Sequence, residues 1–290
     1  MGGDPSIAMR NIFWYSMRIG VLTGVLAAVG AVSVHAADDE LQQKFQGFNL
    51  QGYADNGDKA WDVKGDTADV KGSEIEITNV VANSYGEQKV NVTAEKGVID
   101  QASGNMQLNK DVVITSEQGA QILTDSLQWS RNDDLVTTED NVTITDDNFS
   151  VRGKGMEARP GLKNAKIHED VTVMVDTEPE KELNKILTIT SDGPMVMDQA
   201  KGFAMFQDNV VAVQEDQTLK ADKMEIFFDL ENNKIKELVC SGHVMVEKGE
   251  NRTYAEKAVY NAVNQKITLS GRPKLIMLTE GKDAITSLGN

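Results

Sequence analysis

The stretch Asp111-Val-Val-Ile-Thr-Ser116, met again as Asn141-Val-Thr-Ile-Thr-Asp146, decides the architecture. Each sets apolar β-branched residues at alternate positions behind a polar residue, the pattern of a strand with one buried face. Working outward from this pair, the same polar-Val step recurs at Asn79-Val80, Asp170-Val171, Asn209-Val210 and His243-Val244, with Arg272-Pro273 in the last equivalent place. Counted from Val80, the successive spacings are 32, 30, 29, 39, 34 and 29. Several units open about twenty residues earlier with a second strand, at Thr93-Ala-Glu, Leu123-Thr-Asp, Leu219-Lys-Ala-Asp and Tyr254-Ala-Glu. The unit is therefore two strands. A period near thirty with no helix means about seven such units stacked in series, each burying its apolar face only through the next. The longest spacing, between Val171 and Val210, marks a boundary between two modules.

Helix-period signals are confined to two short pieces, Asp39 to Phe45 and Pro179 to Leu187. In the second, Leu183, Ile186 and Leu187 stand at helical spacing behind a helix-starting proline. The expected class is all-β, a twisted β-sandwich, with 41–178 and 188–278 as its modules. Residues 179–187 form the linker and 279–290 a polar tail.

The N-terminus carries Arg10 and Arg18, then an uncharged run from Ile19 to Val34, then Val34-His-Ala36 before Asp38-Asp-Glu. That order is a secretory signal with small residues at the cleavage site. Phe13-Trp-Tyr and the length of the apolar run also suit a retained membrane anchor, so residues 1–36 are a signal peptide or an anchor helix. No lipobox-like Cys follows.

The chain has 290 residues and a formal net charge of −16, so a nucleic-acid partner is not expected. One cysteine, Cys240, allows no intrachain disulfide, and the three histidines His35, His168 and His243 stand too far apart for a metal motif. Acid pairs such as Asp133-Asp134 fit turn chemistry, and Ser191-Asp-Gly-Pro lacks the GxSxG form of a nucleophile elbow. No catalytic residue, metal or cofactor is expected.

Alternation assigns to the interior Phe48, Leu50, Trp61, Ile75, Ile77, Ile114, Leu123, Leu127, Trp129, Met195, Met197, Phe206, Ile226 and Phe228. These residues either fill a dry core or line a groove open enough to hold an acyl chain. Eight of the 12 methionines lie between Lys154 and Leu278 (Met156, Met174, Met195, Met197, Met205, Met224, Met245 and Met277), and flexible thioethers suit an adaptable apolar surface.

From Phe48 to about Val175 the sequence resembles the LptC family. The resemblance is carried by Phe48-Asn-Leu-Gln-Gly-Tyr, Trp61-Asp-Val-Lys-Gly, Ala94-Glu-Lys-Gly-Val-Ile-Asp, Leu108-Asn-Lys-Asp-Val, Thr124-Asp-Ser-Leu-Gln-Trp and Gly153-Lys-Gly-Met-Glu-Ala. From about Ile186 to Met277 it resembles the LptA/OstA-like domain, through Ile189-Thr-Ser-Asp-Gly, Gly202-Phe-Ala-Met-Phe-Gln-Asp-Asn-Val, Leu219-Lys-Ala-Asp-Lys-Met, Cys240-Ser-Gly-His-Val, Ala255-Glu-Lys-Ala-Val-Tyr and Ile267-Thr-Leu-Ser-Gly-Arg-Pro. The resemblance implies an open β-jellyroll whose interior shields the acyl chains of lipopolysaccharide or a related glycolipid. It also implies a periplasmic place between an inner-membrane ABC transporter of the LptB, LptF and LptG type and the outer membrane. Other bridge modules would join by edge-strand pairing, and the transporter's ATPase would supply the energy. The fusion of two modules departs from both families. The competing readings are a structural or adhesive β-repeat envelope protein with a dry core and, more distantly, a carbohydrate-active β-solenoid enzyme.

Overall fold

The computed structural model describes residues 43–277, apart from 55, 86–88, 131, 147–148, 160–163, 177–185, 199, 231–234, 262 and 265. The strands are β1 (Gln43–Tyr53), β2 (Lys59–Lys71), β3 (Glu74–Tyr85), β4 (Lys89–Asp100), β5 (Met106–Ser116) and β6 (Gln121–Ser130). They continue as β7 (Leu135–Asp146), β8 (Phe149–Arg159), β9 (Asn164–Asp176), β10 (Ile186–Ser191), β11 (Met195–Asp198) and β12 (Phe203–Gln214). The last are β13 (Gln217–Phe228), β14 (Ile235–Lys248), β15 (Asn251–Asn261), β16 (Lys266–Ser270) and β17 (Lys274–Ile276). All 17 belong to one antiparallel sheet. Pairing runs from neighbour to neighbour, with β1 on β2 at one edge and β16 and β17 on β15 at the other.

The recurring polar-Val step is the site of a bend. Asn79, Asp111, Asp170, Asn209, His243 and Arg272 all have positive φ, a conformation that Asn and Asp tolerate better than other non-glycine residues. At Asn141 the β7–β8 register shifts instead. Ser191–Pro194 and Gly271–Pro273 are the same bend made sharper, so β10 and β11 are two halves of one strand position, as are β16 and β17. Each bend lies across from its neighbour's, and side chains link them: Asn79 Nδ2 donates to Asp66 Oδ2 at 2.6 Å and Asn209 Nδ2 to Asp192 Oδ2 at 2.6 Å. The bends therefore align into a fold line that divides the sheet into two limbs. The first limb holds the β1/β2, β3/β4 and β5/β6 hairpin ends, the second the β2/β3, β4/β5 and β6/β7 ends.

Inward residues of both limbs form one buried hydrophobic cluster. A single sheet buries one face this way, with no other element among the described residues to cover it, by folding along that line so that its limbs pack together. The corner is tight. A Cβ on Gly65 would stand 2.3 Å from Ile77 Cγ2, and one on Gly153 would stand 2.4 Å from Ile167 Cγ2 and 3.1 Å from the Glu169 carbonyl. Gly153→Ala is therefore expected to destabilise the fold by about 1–3 kcal/mol. The denaturant midpoint should fall with an unchanged slope, and an unshifted midpoint would remove the glycine's role at the corner.

Register also fixes the outer faces. On the first limb, one outward row links Asn49, Lys64, Val81, Thr93, Val113, Leu123, Thr143 and Arg152. It continues through Thr172, Thr190, Val211, Lys220, Met245, Tyr254 and Lys274. The matching row of the second limb links Lys44, Asp69, Glu76, Val98, Gln107, Gln128, Thr137 and Glu157. It ends through Lys166, Val196, Met205, Glu225, Val239, Val259 and Thr268.

Three expectations are corrected. Gln43 to Phe45, assigned to a helical piece, are strand β1, because they pair with Ala68 to Val70. Ile186 and Leu187, assigned to the second helical piece, are strand β10, paired with Asp176 and Val175. Leu123 faces outward at 38% exposure. The β5–β6 register shifts between Asn109 and Val112, so the inward positions of β6 run Ile122, Thr124, then Leu127. The expected signal or anchor at 1–36, residues 179–185 of the linker and the tail at 279–290 lie outside the described residues.

Candidate functional site

The interior is the site that the fold builds. Ten of the expected interior residues are buried: Trp61, Ile75, Ile77, Ile114, Leu127, Met195, Met197, Phe206, Ile226 and Phe228. Phe48, Leu50 and Trp129 are half-buried and pack against the same cluster. Bent strands spread over both modules thus direct all thirteen to one continuous interior. Pairing across the module boundary keeps it continuous: Val171, Val173 and Val175 of β9 lie opposite Ser191, Ile189 and Leu187 of β10, and Ile167 opposite Met195 of β11. Sequence reasoning omitted Ile122, Ile144, Met156, Ile167, Ile189 and Met224 from the site, although each is fully buried. Alternation around Val142-Thr-Ile144 and Ile167-His-Glu carried the signal for two of them.

The methionines divide. Met156, Met195, Met197 and Met224 are interior, whereas Met174 and Met277 are exposed at 41% and 61%. Met205 and Met245 stand on outward rows. Among the buried polar side chains, Thr124 pairs with Thr138 at 3.1 Å and Ser191 Oγ donates to the Gly193 carbonyl at 3.2 Å, whereas Ser84 Oγ is buried without a partner. Burial alone pushes the Cys240 thiol up to about 12, so it stays protonated and unreactive at neutral pH. An outward cleft of about 360 Å³ lies at the second limb's rim, between Glu74, Gln107, Gln128 and Thr137, and reaches Trp129 of the interior set and Met106, which packs against the same cluster.

The first part of the chain, residues 20–176, matches the family model described as lipopolysaccharide-assembly, LptC-related. The chain belongs to this LptC-related family. The remainder, residues 188–287, matches the LptA/(LptD N-terminal domain) LPS transport protein model, so two modules of the lipopolysaccharide-transport kind stand in series. A crystal structure of LptH, the LptA-homologous periplasmic component of the lipopolysaccharide transport device of Pseudomonas aeruginosa, is similar at 12% identity. That alignment covers 67% of this chain and 97% of that one, with a TM-score of 0.21. No curated protein matches.

Within the LptC-related module, one polar network stands out. The Asp62 carboxylate is buried at 1% exposure on the outer face of β2. It accepts from Asn83 Nδ2 at 2.8 Å and Tyr85 Oη at 2.9 Å, and it pairs with the Lys59 ammonium, which also lies 5.0 Å from the Tyr85 ring centre. Asn91 donates to Asn83 at 2.8 Å and extends the network to β4. Desolvation raises the Asp62 carboxyl, but hydrogen bonds from Lys59, Asn83 and Tyr85 outweigh it and hold the group below the ordinary aspartate value of 3.8. A depressed folded value means that this group's stabilisation is complete above the unfolded value and disappears as pH falls through the folded one. Asp62→Asn is expected to remove that acid-dependent part, leaving a flatter stability curve below pH ~4. Parallel acid titrations unfolded by urea would check it, and equal slopes for both proteins would refute it. Asp62→Ala, which orphans three donors, should destabilise by on the order of 3 kcal/mol.

His243 Nδ1 lies 2.8 Å from Asp222 Oδ2 at the exposed corner, and His168 Nε2 is buried without a partner. Among the described residues, no three His, Cys, Asp or Glu side chains gather as a metal site.

Proposed function

We propose that this chain is a non-enzymatic periplasmic conduit that shields the acyl chains of lipopolysaccharide and passes them from an inner-membrane ABC transporter of the LptB, LptF and LptG type toward the outer membrane. The observation that carries the reading is the single apolar interior, unbroken from Trp61 to Ala258, in a chain with both an LptC-related and an LptA-like segment. A folded sheet with one apolar seam can take an acyl chain at any point along its length and hand it to the next point without exposing it to water. The chain then does the work of both modules in one polypeptide. The half-buried Phe48, Leu50 and Trp129 are the lipid contacts nearest the surface, and Phe206, Ile226 and Phe228 lie deeper.

The edges supply the partners. β1 presents Phe45 and Tyr53 at 47% and 60% exposure, and β16–β17 with the residue that follows them present Ile267, Leu275 and Met277 at 60–62%. Unpaired main-chain groups beside exposed apolar side chains suit β-augmentation: β1 by the transporter's periplasmic part, β16–β17 by the next bridge module.

One observation favours the structural reading. Interior residues such as Ile122, Ile144 and Phe206 are at 0% exposure, so the limbs close on one another and insertion of an acyl chain must push them apart. The discriminating experiment is organic extraction of the purified protein followed by mass spectrometry of the extract. The conduit yields stoichiometric glycolipid, and the dry core yields none even after incubation with lipopolysaccharide.

A further inference from the structure

We infer that the Ser84 hydroxyl is a binding point, inside the apolar interior, for an oxygen carried along an acyl chain as a hydroxyl or an ester. This rests on the conduit reading and adds to it a preference among the chains carried. Among the described residues, three buried side-chain atoms have no hydrogen-bond partner: Asp69 Oδ1, Ser84 Oγ and His168 Nε2. Asp69 stands on an outward row and His168 lies beside the bend at Gly155. Ser84 is the one of the three that faces the interior. On β3, Ala82 and Ser84 are buried while Val81 and Tyr85 are exposed, which fixes that direction. Across the ladder Ser84 lies between Trp61 of β2 and Val90 of β4, both of them in the buried cluster. The other buried hydroxyls among the described residues, Ser116, Thr124, Thr138 and Ser191, each have a partner. A hydroxyl kept in apolar surroundings with none is unfavourable until something supplies the missing bond.

The outer face holds this hydroxyl in place. Its chain neighbours Asn83 and Tyr85 both donate to the buried Asp62 carboxylate, at 2.8 and 2.9 Å, and Asn83 accepts from Asn91 of β4. β3 is thereby pinned to β2 and β4 on either side of Ser84, so the network on one face sets the direction of the hydroxyl on the other. The interior is also less tightly closed at this end. Between β7 and β9, Val136, Ile144, Met156, Val173 and Val175 are at 0% exposure. On the second limb of β4, β5 and β6, by contrast, Ile99, Met106 and Trp129 are half-buried. The Trp61 indole lies over Gly52, on the β1 side and away from Ser84. An acyl chain that enters the seam here passes the hydroxyl, which can donate to an ester oxygen or exchange either role with a hydroxyl. A plain hydrocarbon chain leaves it unpaired. The site therefore discriminates between chains of equal length by whether they carry the oxygen.

The test uses the full chain, wild type and Ser84→Ala, with three fatty acids of equal length: a plain one, one with a hydroxyl at carbon 3 and one with an acetyl ester there. Displacement of a fluorescent fatty acid gives the affinity of each. Ser84→Ala should bind at least one oxygen-bearing acid about fivefold more weakly than wild type does and bind the plain acid equally. Which of the two acids loses affinity separates the hydroxyl from the ester as the source of the oxygen. The melting point of Ser84→Ala should be unchanged or raised, since the substitution deletes an unsatisfied buried group. Ser150→Ala, on an outward position opposite Thr145 and Met174, should bind all three acids like wild type. Tyr85→Phe, which unpins one side of β3, should show part of the Ser84→Ala loss and spare the plain acid; no change would strike the network from the site. Equal loss for all three acids, no loss, or a matching loss in Ser150→Ala would overturn the binding point while leaving the conduit intact. A hydroxyl satisfied by trapped water gives the second of these results. Failure of wild type to bind any of the three would overturn the conduit and the binding point together, and that result needs no variant.

Discussion

Ile226→Asp will abolish lipid loading and destabilise the fold by several kcal/mol. Ile226 is 2% exposed on β13, opposite Ala204 of β12 and Leu238 of β14, inside the common cluster. A carboxylate there loses its water and gains no cation or donor, a desolvation cost on the order of several kcal/mol. For a chain of this size each kcal/mol moves the melting point by roughly 2–4 °C, so a fall of about 10 °C is expected. Loading must be separated from stability, because a destabilised protein can lose both. Photoreactive side chains at Ile226, Phe228, Met195 and Trp129 should label acyl chains, whereas the outward Glu225 and Lys223 should not. Equal labelling of the two faces would sink the interior route, whatever Ile226→Asp does to the melting point.

The second large effect concerns assembly. A chain ending at Asn264 loses β16 and β17 and should keep its fold, since those strands pair with β15 and bring one half-buried apolar residue, Leu269, to the cluster. It should lose self-association and the downstream module. Pro273 removes one donor from this edge, but Lys266–Ser270 and Lys274–Ile276 keep the rest, and Ile267 and Leu275 stand exposed beside them. Because the β1 edge differs in sequence from the β16–β17 edge, the contact is heterologous and extends head to tail at high concentration. Size exclusion and crosslinking of the full and shortened chains measure it. Undiminished partner binding by the shortened chain would refute edge pairing.

The two predictions probe different parts of the ladder. Ile226 lies within it, where every neighbour is fixed by register, and its replacement disturbs packing on both limbs. The C-terminal strands lie at its end, where removal exposes the next strand and leaves earlier pairs intact.

Much of this architecture was legible in the chain itself. Period-two alternation set the strands, and the thirty-residue recurrence of a polar residue before Val set their order, although about seven two-strand units fall short of the 17 strands of the sheet. Ten of the fourteen interior residues named from alternation are buried, because a side chain two positions along a strand returns to the same face. The recurring Asn or Asp had a physical meaning that the pattern alone did not disclose. It is where the backbone takes positive φ, and the alignment of those bends across neighbours folds the sheet into its two limbs. Leu123 was misplaced because alternation assumes an unbroken pleat, and a register shift beside a bend moves the phase. Ile186 and Leu187 were read as helical because spacing over three residues fits a helix as well as a short strand, and only the partners Asp176 and Val175 select between them. The outward row from Asn49 to Lys274, which holds no Asp or Glu, could not be seen in sequence at all. Its successive members are separated by 9 to 25 residues and become neighbours only through hydrogen-bonded register. Local patterning thus determined which residues face in, and the tertiary structure decided which of the outward ones share a surface.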